Sequence, residues 1–282
     1  MRSGSLHRPA RLNVVLFSGG RGSSVLSKEL INNPAIALTL AVNGYDDGLS
    51  TGEVRRFLGD SLGPSDFRKN ATRLSRELRS CPGEVCELLE LRLPAGCQAE
   101  SWQRVLRCIR DADPAGGGTF EEQVCALAGP FDRDARRALG TRLERFEAER
   151  ASTGRAFEFS DCSLGNLVFA GSFLEQGRRF NAALDDFCGL VGLPPGLIDN
   201  VTEGTNAFLV ALDLSDRILG SEGEIVDAKR RNYIKDIYLI DHAITSAELE
   251  QLRTRSIAGV IGFLEERAQA VTLNPRLRAR LD

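Results

Sequence analysis

The chain opens with two short runs of apolar and β-branched residues, Leu12 to Phe17 (LNVVLF) and Ala35 to Val42 (AIALTLAV). Runs of this length, each followed by glycine, read as buried strands of a parallel sheet. Between them Val25, Leu26, Leu30 and Ile31 recur at helical spacing behind Ser23 and Ser24, either of which can cap a helix start; Asn32-Asn33-Pro34 ends it. Strand, loop, helix and strand in so short a span make a βαβ unit, whose crossover is right-handed.

From Glu53 to about Arg150 the spacing turns helical. Arg55, Arg56, Arg68, Lys69, Arg73, Arg76 and Arg79 alternate with apolar residues, the pattern of a solvated helix face. Residues 111–119 (DADPAGGGT) read as a loop tip, and 132–150 as an exposed helix. Ser163 caps a helix through Leu167 to Leu174, and another runs from Phe180 to Leu190. Residues 206–213 and 217–226 read as strands around a glycine turn, with Glu222 and Glu224 in a surface hairpin. Ile237 to Ile240 reads as a further strand and Gln251 to Ala270 as one helix.

The fold class is therefore α/β: a Rossmann-like, mainly parallel sheet with a largely helical insertion after the second strand. We assign residues 1–11 to a disordered leader and 12–282 to a single α/β domain, in which 71–155 is the helical insertion.

Composition narrows the classes without choosing among them. With 42% hydrophobic and 27% charged residues the chain has the make-up of an ordinary globular protein, and its 282 residues suffice for a sizeable core. A net charge of -3 gives no basic face for nucleic acid, and no apolar run reaches the length of a bilayer span. The first eleven residues lack the apolar stretch of a signal peptide, which points to the cytoplasm. Seven cysteines without a CxxC pair, and only two histidines, argue against zinc and for reduced thiols.

Chemistry concentrates in three loops, each placed where a strand hands over to a helix: Ser18-Gly19-Gly20-Arg21-Gly22-Ser23-Ser24, then Asn43 to Gly52 (NGYDDGLSTG), then Gly63 to Asn70 (GPSDFRKN). Loops at the carboxyl ends of parallel strands build a ligand crevice. Gly19, Gly20 and Gly22, with Ser23 at a helix start, offer backbone N–H groups to a phosphate; a tight packing turn explains them equally well. Asp46 and Asp47 repel one another unless a cation or hydroxyl sits against them, and magnesium with phosphate oxygens is one answer. A solvated acidic turn is the other. Asp66, Arg68 and Asn70 follow, with Arg68 suited to a phosphate or to an aspartate partner. Ser163, Gly165 and Asn166 form a second anion site at a helix start. His242 beside Asp241 has the make-up of a general base, although a histidine at a strand end is more often simply satisfied there, and Cys162 stands as a bystander.

Taken in order, GGRGSS, NGYDDGLSTG, LGPSDFRKN, DCSLGNL and GSEGEIV resemble the family of 2-phospho-L-lactate transferases and the related gluconeogenesis-factor proteins, from Leu12 to Asn274-Pro275. The resemblance implies a Rossmann-like fold with its ligand at the strand ends. One branch of the family moves a phospholactyl or phosphoenolpyruvyl group from a guanosine diphosphate adduct to a deazaflavin alcohol with magnesium. The other binds a nucleotide sugar such as a UDP-sugar and regulates carbon metabolism or cell-wall growth. The motif positions carried over are Gly19, Gly20, Gly22, Asp46, Asp47, Asp66, Arg68, Ser163, Gly165 and Asn166. Departures are Arg21 for a threonine, Leu49 for a glycine, and Cys162 for a histidine. Relatives continue past the Asn-Pro segment into a Gly-Pro-Gly loop that completes the phosphate pocket, and this chain stops short of it.

The expected activity is a magnesium-assisted phospholactyl-type transfer. Asp46, Asp47 and Arg68 are the catalytic candidates, with Asp46 and Asp47 also the metal ligands. Gly19, Gly20, Gly22, Ser23, Asp66, Asn70, Ser163, Gly165 and Asn166 are the binding candidates. The alternatives are a non-catalytic UDP-sugar regulator, favoured by one Trp and three Tyr as sparse walls for a flat ring, and a helical interaction domain on an inert scaffold. The expected partner is a nucleotide diphosphate adduct or nucleotide sugar, with no nucleic acid and no membrane; a homodimer stays open.

Overall fold

The computed structural model of the protein describes residues 11–20, 22–112, 118–225 and 233–282. The leader up to residue 10, Arg21 and the middle of the predicted 111–119 loop tip lie outside them. β1 (Leu12–Ser18), α1 (Ser24–Asn32) and β2 (Ile36–Val42) form the βαβ unit read from the sequence. β1 and β2 pair in parallel, from Leu12 against Ile36 to Ser18 against Val42. The chain then runs through α2 (Leu49–Leu58), α3 (Ser65–Leu78), α4 (Gly83–Glu90), α5 (Ala99–Asp111), α6 (Thr119–Ala128), α7 (Arg133–Thr153), α8 (Leu164–Glu175) and α9 (Phe180–Leu190). It returns as β3 (Ile198–Asn200), parallel to β2 on the side away from β1. This is the Rossmann-like α/β arrangement with helices inserted after the second strand.

A second, antiparallel sheet follows. It is made of β4 (Phe208–Asp213), β5 (Ile218–Leu219) and β6 (Ile234–Ile240) in the order β5-β4-β6. With it go α10 (Glu222–Ile225), α11 (Ser246–Arg253) and α12 (Ile257–Glu266). α13 (Pro275–Leu281) lies back against the parallel sheet, where Arg276 reaches the fully buried Asp199 of β3 at 2.6 Å and grips Asp185 of α9 with both terminal nitrogens.

The apolar interior forms two clusters. The larger one joins the parallel sheet to the helices, with α8 at its centre: every residue from Leu164 to Leu174 is buried. A helix apolar on all sides belongs inside a core. Against it α7 passes so closely that a Cβ on Gly171 would stand 1.9 Å from the carbonyl oxygen of Arg142. Only a residue with no side chain fits that crossing. The smaller cluster, Val210, Leu212, Ile218, Ile240, Leu252, Val260 and Leu264, lies between the antiparallel sheet and its helices.

Several local readings change. β1 is an edge strand of its sheet, so Leu12 and Phe17 stay 67% and 59% exposed where a buried strand was expected. Val25 and Leu26 of α1 are likewise exposed. β3 was not anticipated, because three residues with Asp199 and Asn200 among them carry no strand pattern. Of the expected strand 217–226, residue 226 lies outside the described residues and the rest is a two-residue strand and then α10, which starts where Ser221 Oγ accepts from the N–H of Glu224, so no hairpin forms at Glu222 and Glu224. The expected helix 251–270 is broken, because Thr245 and Ser256 each cap a separate helix. The thiols are not all reduced: Cys108 of α5 is bonded to Cys125 of α6, leaving Cys81, Cys86, Cys97, Cys162 and Cys188 free. No helix among the described residues is long and apolar enough to cross a membrane.

Candidate functional site

The three loops and the start of α8 meet at the carboxyl end of the parallel sheet. Asn70 of α3 donates from Nδ2 to the carbonyl of Gly19 at 2.9 Å and to that of Asp66 at 2.9 Å. A Cβ on Gly20 would lie 2.6 Å from Asp66 Oδ1, so the glycine loop and α3 touch directly. Ser163 caps α8 by accepting the N–H of Asn166. Asn166, fully buried, accepts from Arg68 Nε at 3.1 Å and donates to Ser50 Oγ and Ser65 Oγ at 3.1 and 3.0 Å. Thr51 Oγ1 bonds Ser65 Oγ in turn. Gly165 has no side chain because the Arg68 stem crosses it: a Cβ there would stand 2.4 Å from Arg68 Cδ. Two polar clusters therefore meet on α3, one of Gly19, Asp66 and Asn70 and one of Arg68, Ser163 and Asn166 with Ser50, Thr51 and Ser65.

Beside these clusters is a cavity of about 380 Å³, lined by Gly20, Ser24, Arg68, Lys69, Arg73, Arg76, Glu90 and Arg92. Its lining carries five cations and one carboxylate. Lys69, Arg76 and Arg92 each hold a carboxylate, on Asp66, Glu90 and Asp161 respectively. Arg73 is held by neutral oxygens, Ser27 Oγ and Asn70 Oδ1, and its Nε is buried without a partner. Burial pushes the Arg73 pKa down, with Glu77 opposing that from a distance. Three of the five lining cations are thus balanced by a carboxylate, and the lining keeps an excess of positive charge.

Lys69, Arg73 and Arg76, expected on a solvated face, line this cavity. Their i, i+4, i+7 spacing on α3 was the available signal. Arg55 and Arg68 are not solvated either, at 3% and 4% exposure.

The two neighbouring acids do not join this cavity. Asp46 Oδ1 accepts the N–H of Gly48 at 2.9 Å, and its Oδ2 faces Thr51 Oγ1 at 3.4 Å, so it closes its own turn at the start of α2. Asp47 instead lines a separate cavity of about 480 Å³ with Gly52, Arg55, Arg56, Gly59, Phe208, Asp241, His242 and Ala243, between the two halves of the molecule. There Arg55 stacks on Phe208 with its guanidinium 4.4 Å from the ring centre. His242 Nδ1 pairs with Asp241 at 2.6 Å. Desolvation drives the Arg55 pKa down, and the charges of Asp47 and Asp46 hold it up. The two acids thus serve Arg55 and their own loop. Among the described residues no group of three or more His, Cys, Asp or Glu is placed to hold a metal ion. Asp46 and Asp47 turn to different parts of the structure, and no step is derived through magnesium.

The remaining predicted residues sit at the edges. Ser23 precedes α1 without capping it, since its hydroxyl is bonded to Ser18 Oγ. Gly22 is exposed with open space around it. Leu49, which departs from a family glycine, has a φ of +37°, in the region that favours glycine, and its side chain is 85% exposed. Cys162 is buried and its thiol pushed up to about 12 by desolvation, consistent with a bystander.

The architecture is that of a Rossmann-like α/β protein with a cavity of mostly cationic lining at its strand ends. Among solved structures, the chain is similar to the UPF0052-family protein BH3568 of Bacillus halodurans, in two crystal structures with a TM-score of 0.51 each. Identity is 21% and 20%, over 86% of this chain and 56% of the matched one. The chain thus spans little more than half the length of that protein. UPF0052 is the family that the sequence motifs resemble, and the shared fold agrees with that resemblance. No family model and no curated protein sequence matches the chain.

Proposed function

We propose that the cavity between the glycine loop and α3 binds the phosphates of a nucleoside diphosphate-linked ligand. The supporting observation is its charge: five cations against one carboxylate, with the buried Arg73 Nε lacking a partner. Phosphate oxygens supply acceptors of the number and sign that such a lining asks for. Gly20 brings backbone to the rim, and the Asn166 amide fixes the buried Arg68.

Two activities fit that ligand. In the transferase reading an acceptor hydroxyl attacks the phosphorus of a guanosine diphosphate adduct, and guanosine monophosphate leaves. Arg68, Lys69 and Arg73 would then stabilise charge on the transferring group, the main source of catalysis in such reactions. In the regulatory reading a UDP-sugar binds in the same place and undergoes no chemistry. One observation favours the second: Asp46 and Asp47, the residues the transfer would use, do not line the cationic cavity. Ligand binding without chemistry is therefore the stronger reading.

Thermal unfolding with GDP, GMP, a UDP-sugar and a deazaflavin, each with and without magnesium, tests both. A ligand present at a hundred times its Kd adds about 2.7 kcal/mol, worth roughly 5 °C or more in Tm for a chain of this size. The regulatory reading expects the UDP-sugar to raise Tm, Lys69→Ala and Arg73→Ala to abolish the rise, and Asp46→Asn with Asp47→Asn to leave it intact. A GDP response, with phospholactyl transfer that the Asp46→Asn, Asp47→Asn pair abolishes, establishes the transferase. Failure of every nucleotide to raise Tm removes the assignment of the cavity.

A further inference from the structure

Cys81 and Cys86 bracket the turn between α3 and α4, and their sulfurs stand 3.6 Å apart. They are separate from the bonded pair Cys108–Cys125. The two thiols differ in setting. Cys86, on the first turns of α4, is fully buried and its Sγ lies 3.5 Å from the carbonyl of Thr72. Cys81 precedes Pro82 in the connection and is half-buried, with Ser75 Oγ at 3.0 Å. We propose that Cys81 is a peroxide-reactive thiolate and Cys86 its resolving thiol, so that the pair is a site of reversible disulfide formation.

The surroundings favour the thiolate at Cys81. Cys86 Sγ at 3.6 Å and Ser75 Oγ at 3.0 Å are its polar neighbours, and Arg76 adds positive charge; against burial these pull the Cys81 pKa down to about 6. The same contact drives Cys86 up, so that it keeps its proton. Cys97, also half-buried, shows the reverse: desolvation and the charges of Glu121 and Glu158 raise it, against Arg104. A disulfide needs its sulfurs about 2 Å apart, so the pair closes by roughly 1.5 Å. Cys81 belongs to no helix, and the approach is made in the connection.

The chemistry balances with hydrogen peroxide as oxidant. The Cys81 thiolate attacks one peroxide oxygen, the O–O bond breaks, and hydroxide leaves, giving a sulfenic acid. The Cys86 sulfur then attacks the Cys81 sulfur and the S–O bond breaks. Its proton departs with the leaving hydroxide as water. Each turnover converts one thiol, one thiolate and one peroxide into a disulfide, hydroxide and water.

Trypsin leaves both cysteines on the single peptide Ser80–Arg92, which makes the test direct. Folded protein is treated with peroxide, blocked with a maleimide and digested. The expected peptide is lighter than the reduced one by two hydrogens and carries no maleimide. Cys86→Ser should leave Cys81 as a sulfenic acid that dimedone captures, and Cys81→Ser should leave Cys86 unoxidised. In untreated protein, alkylation of Cys81 should rise with pH around a midpoint near 6. At pH 7 its thiolate is about thirtyfold more abundant than that of an ordinary thiol of pKa about 8.5. Weaker nucleophilicity gives back about thirteenfold of this, so Cys81 should react about two- to threefold faster. A Ser80–Arg92 peptide that still carries two maleimides after peroxide overturns the proposal, as does an alkylation midpoint at the usual thiol value.

Discussion

Around the parallel sheet the interior is full of polarity: Ser50, Thr51, Arg55, Ser65, Arg68, Asn70, Ser163 and Asn166 are all buried. Around the antiparallel sheet the interior is Val210, Leu212, Ile218, Ile240, Leu252, Val260 and Leu264. Its ion pairs, Arg253 with Glu224 and Glu250 and Lys235 with Asp216, lie at the surface. Its buried Asp213 is satisfied within its own turn, by the N–H groups of Ser215 and Arg217. Burying a polar group costs free energy unless it finds partners, and a network of partners restricts the fold to one arrangement. The first half carries that cost at many residues, whereas among the described residues of the second only Asp213 carries it. A stabilising core needs only the second kind of interior. The first kind holds side chains in one arrangement, as the proposed phosphate site requires.

The sharpest way to break this contrast is at the α7–α8 crossing. Gly171→Ala places a methyl against the backbone oxygen of Arg142, and neither helix can yield without moving the core. We expect a loss of at least about 3 kcal/mol, the upper end for overpacking. Because α8 also carries Asn166, nucleotide binding should fall with it. Urea unfolding and ligand titration of the same variant check both. Unaltered binding in a destabilised protein would show that the polar network does not depend on the rigidity of α8.

Leu264→Ala is the matching change in the other half. Leu264 is fully buried in the smaller cluster, and removing its side chain should cost about 2–4 kcal/mol in urea unfolding. Here the contrast requires the opposite functional result: the Tm rise given by the phosphate ligand stays the same size, measured from the lower starting point. A lost ligand response would mean that the halves are coupled and that the comparison between them is wrong.

The two halves also differ in how far they can be read from sequence. β2 is a continuous apolar strand ending in a glycine loop, and periodicity finds it together with the site loops that follow each strand. What the sequence did not show was direction. Asp46 and Asp47 are neighbours in the chain, but one folds onto Gly48 and the other turns to Arg55 and the second cavity. Likewise Arg68 and Arg73 look like surface charges until α8 is packed over α3. In the antiparallel half β5 has two residues, and in the parallel sheet β3 has three, both below the length at which alternation carries information. The Thr254 to Ser256 break in the last long helical stretch was announced only by a serine, a residue equally common on helix surfaces.

Helix caps give the finest comparison, because the same device occurs in both halves. Ser163 Oγ accepts the N–H of Asn166 with the serine fully buried, and Thr245 Oγ1 accepts the N–H of Glu248 in an exposed capping box. Water can replace the hydroxyl at Thr245 and cannot reach the site at Ser163. Ser163→Ala should therefore cost about 1.5 kcal/mol and Thr245→Ala about 0.5 kcal/mol, the two ends of the usual range for a lost cap. The backbone carbonyl of Ser163 also accepts from Asn166, which keeps the larger figure modest. Denaturant midpoints of the two variants, measured side by side with unchanged slopes, decide the matter. Equal costs would mean that burial of polar groups in the parallel half has no energetic signature, and the contrast drawn between the two interiors would then rest on geometry alone.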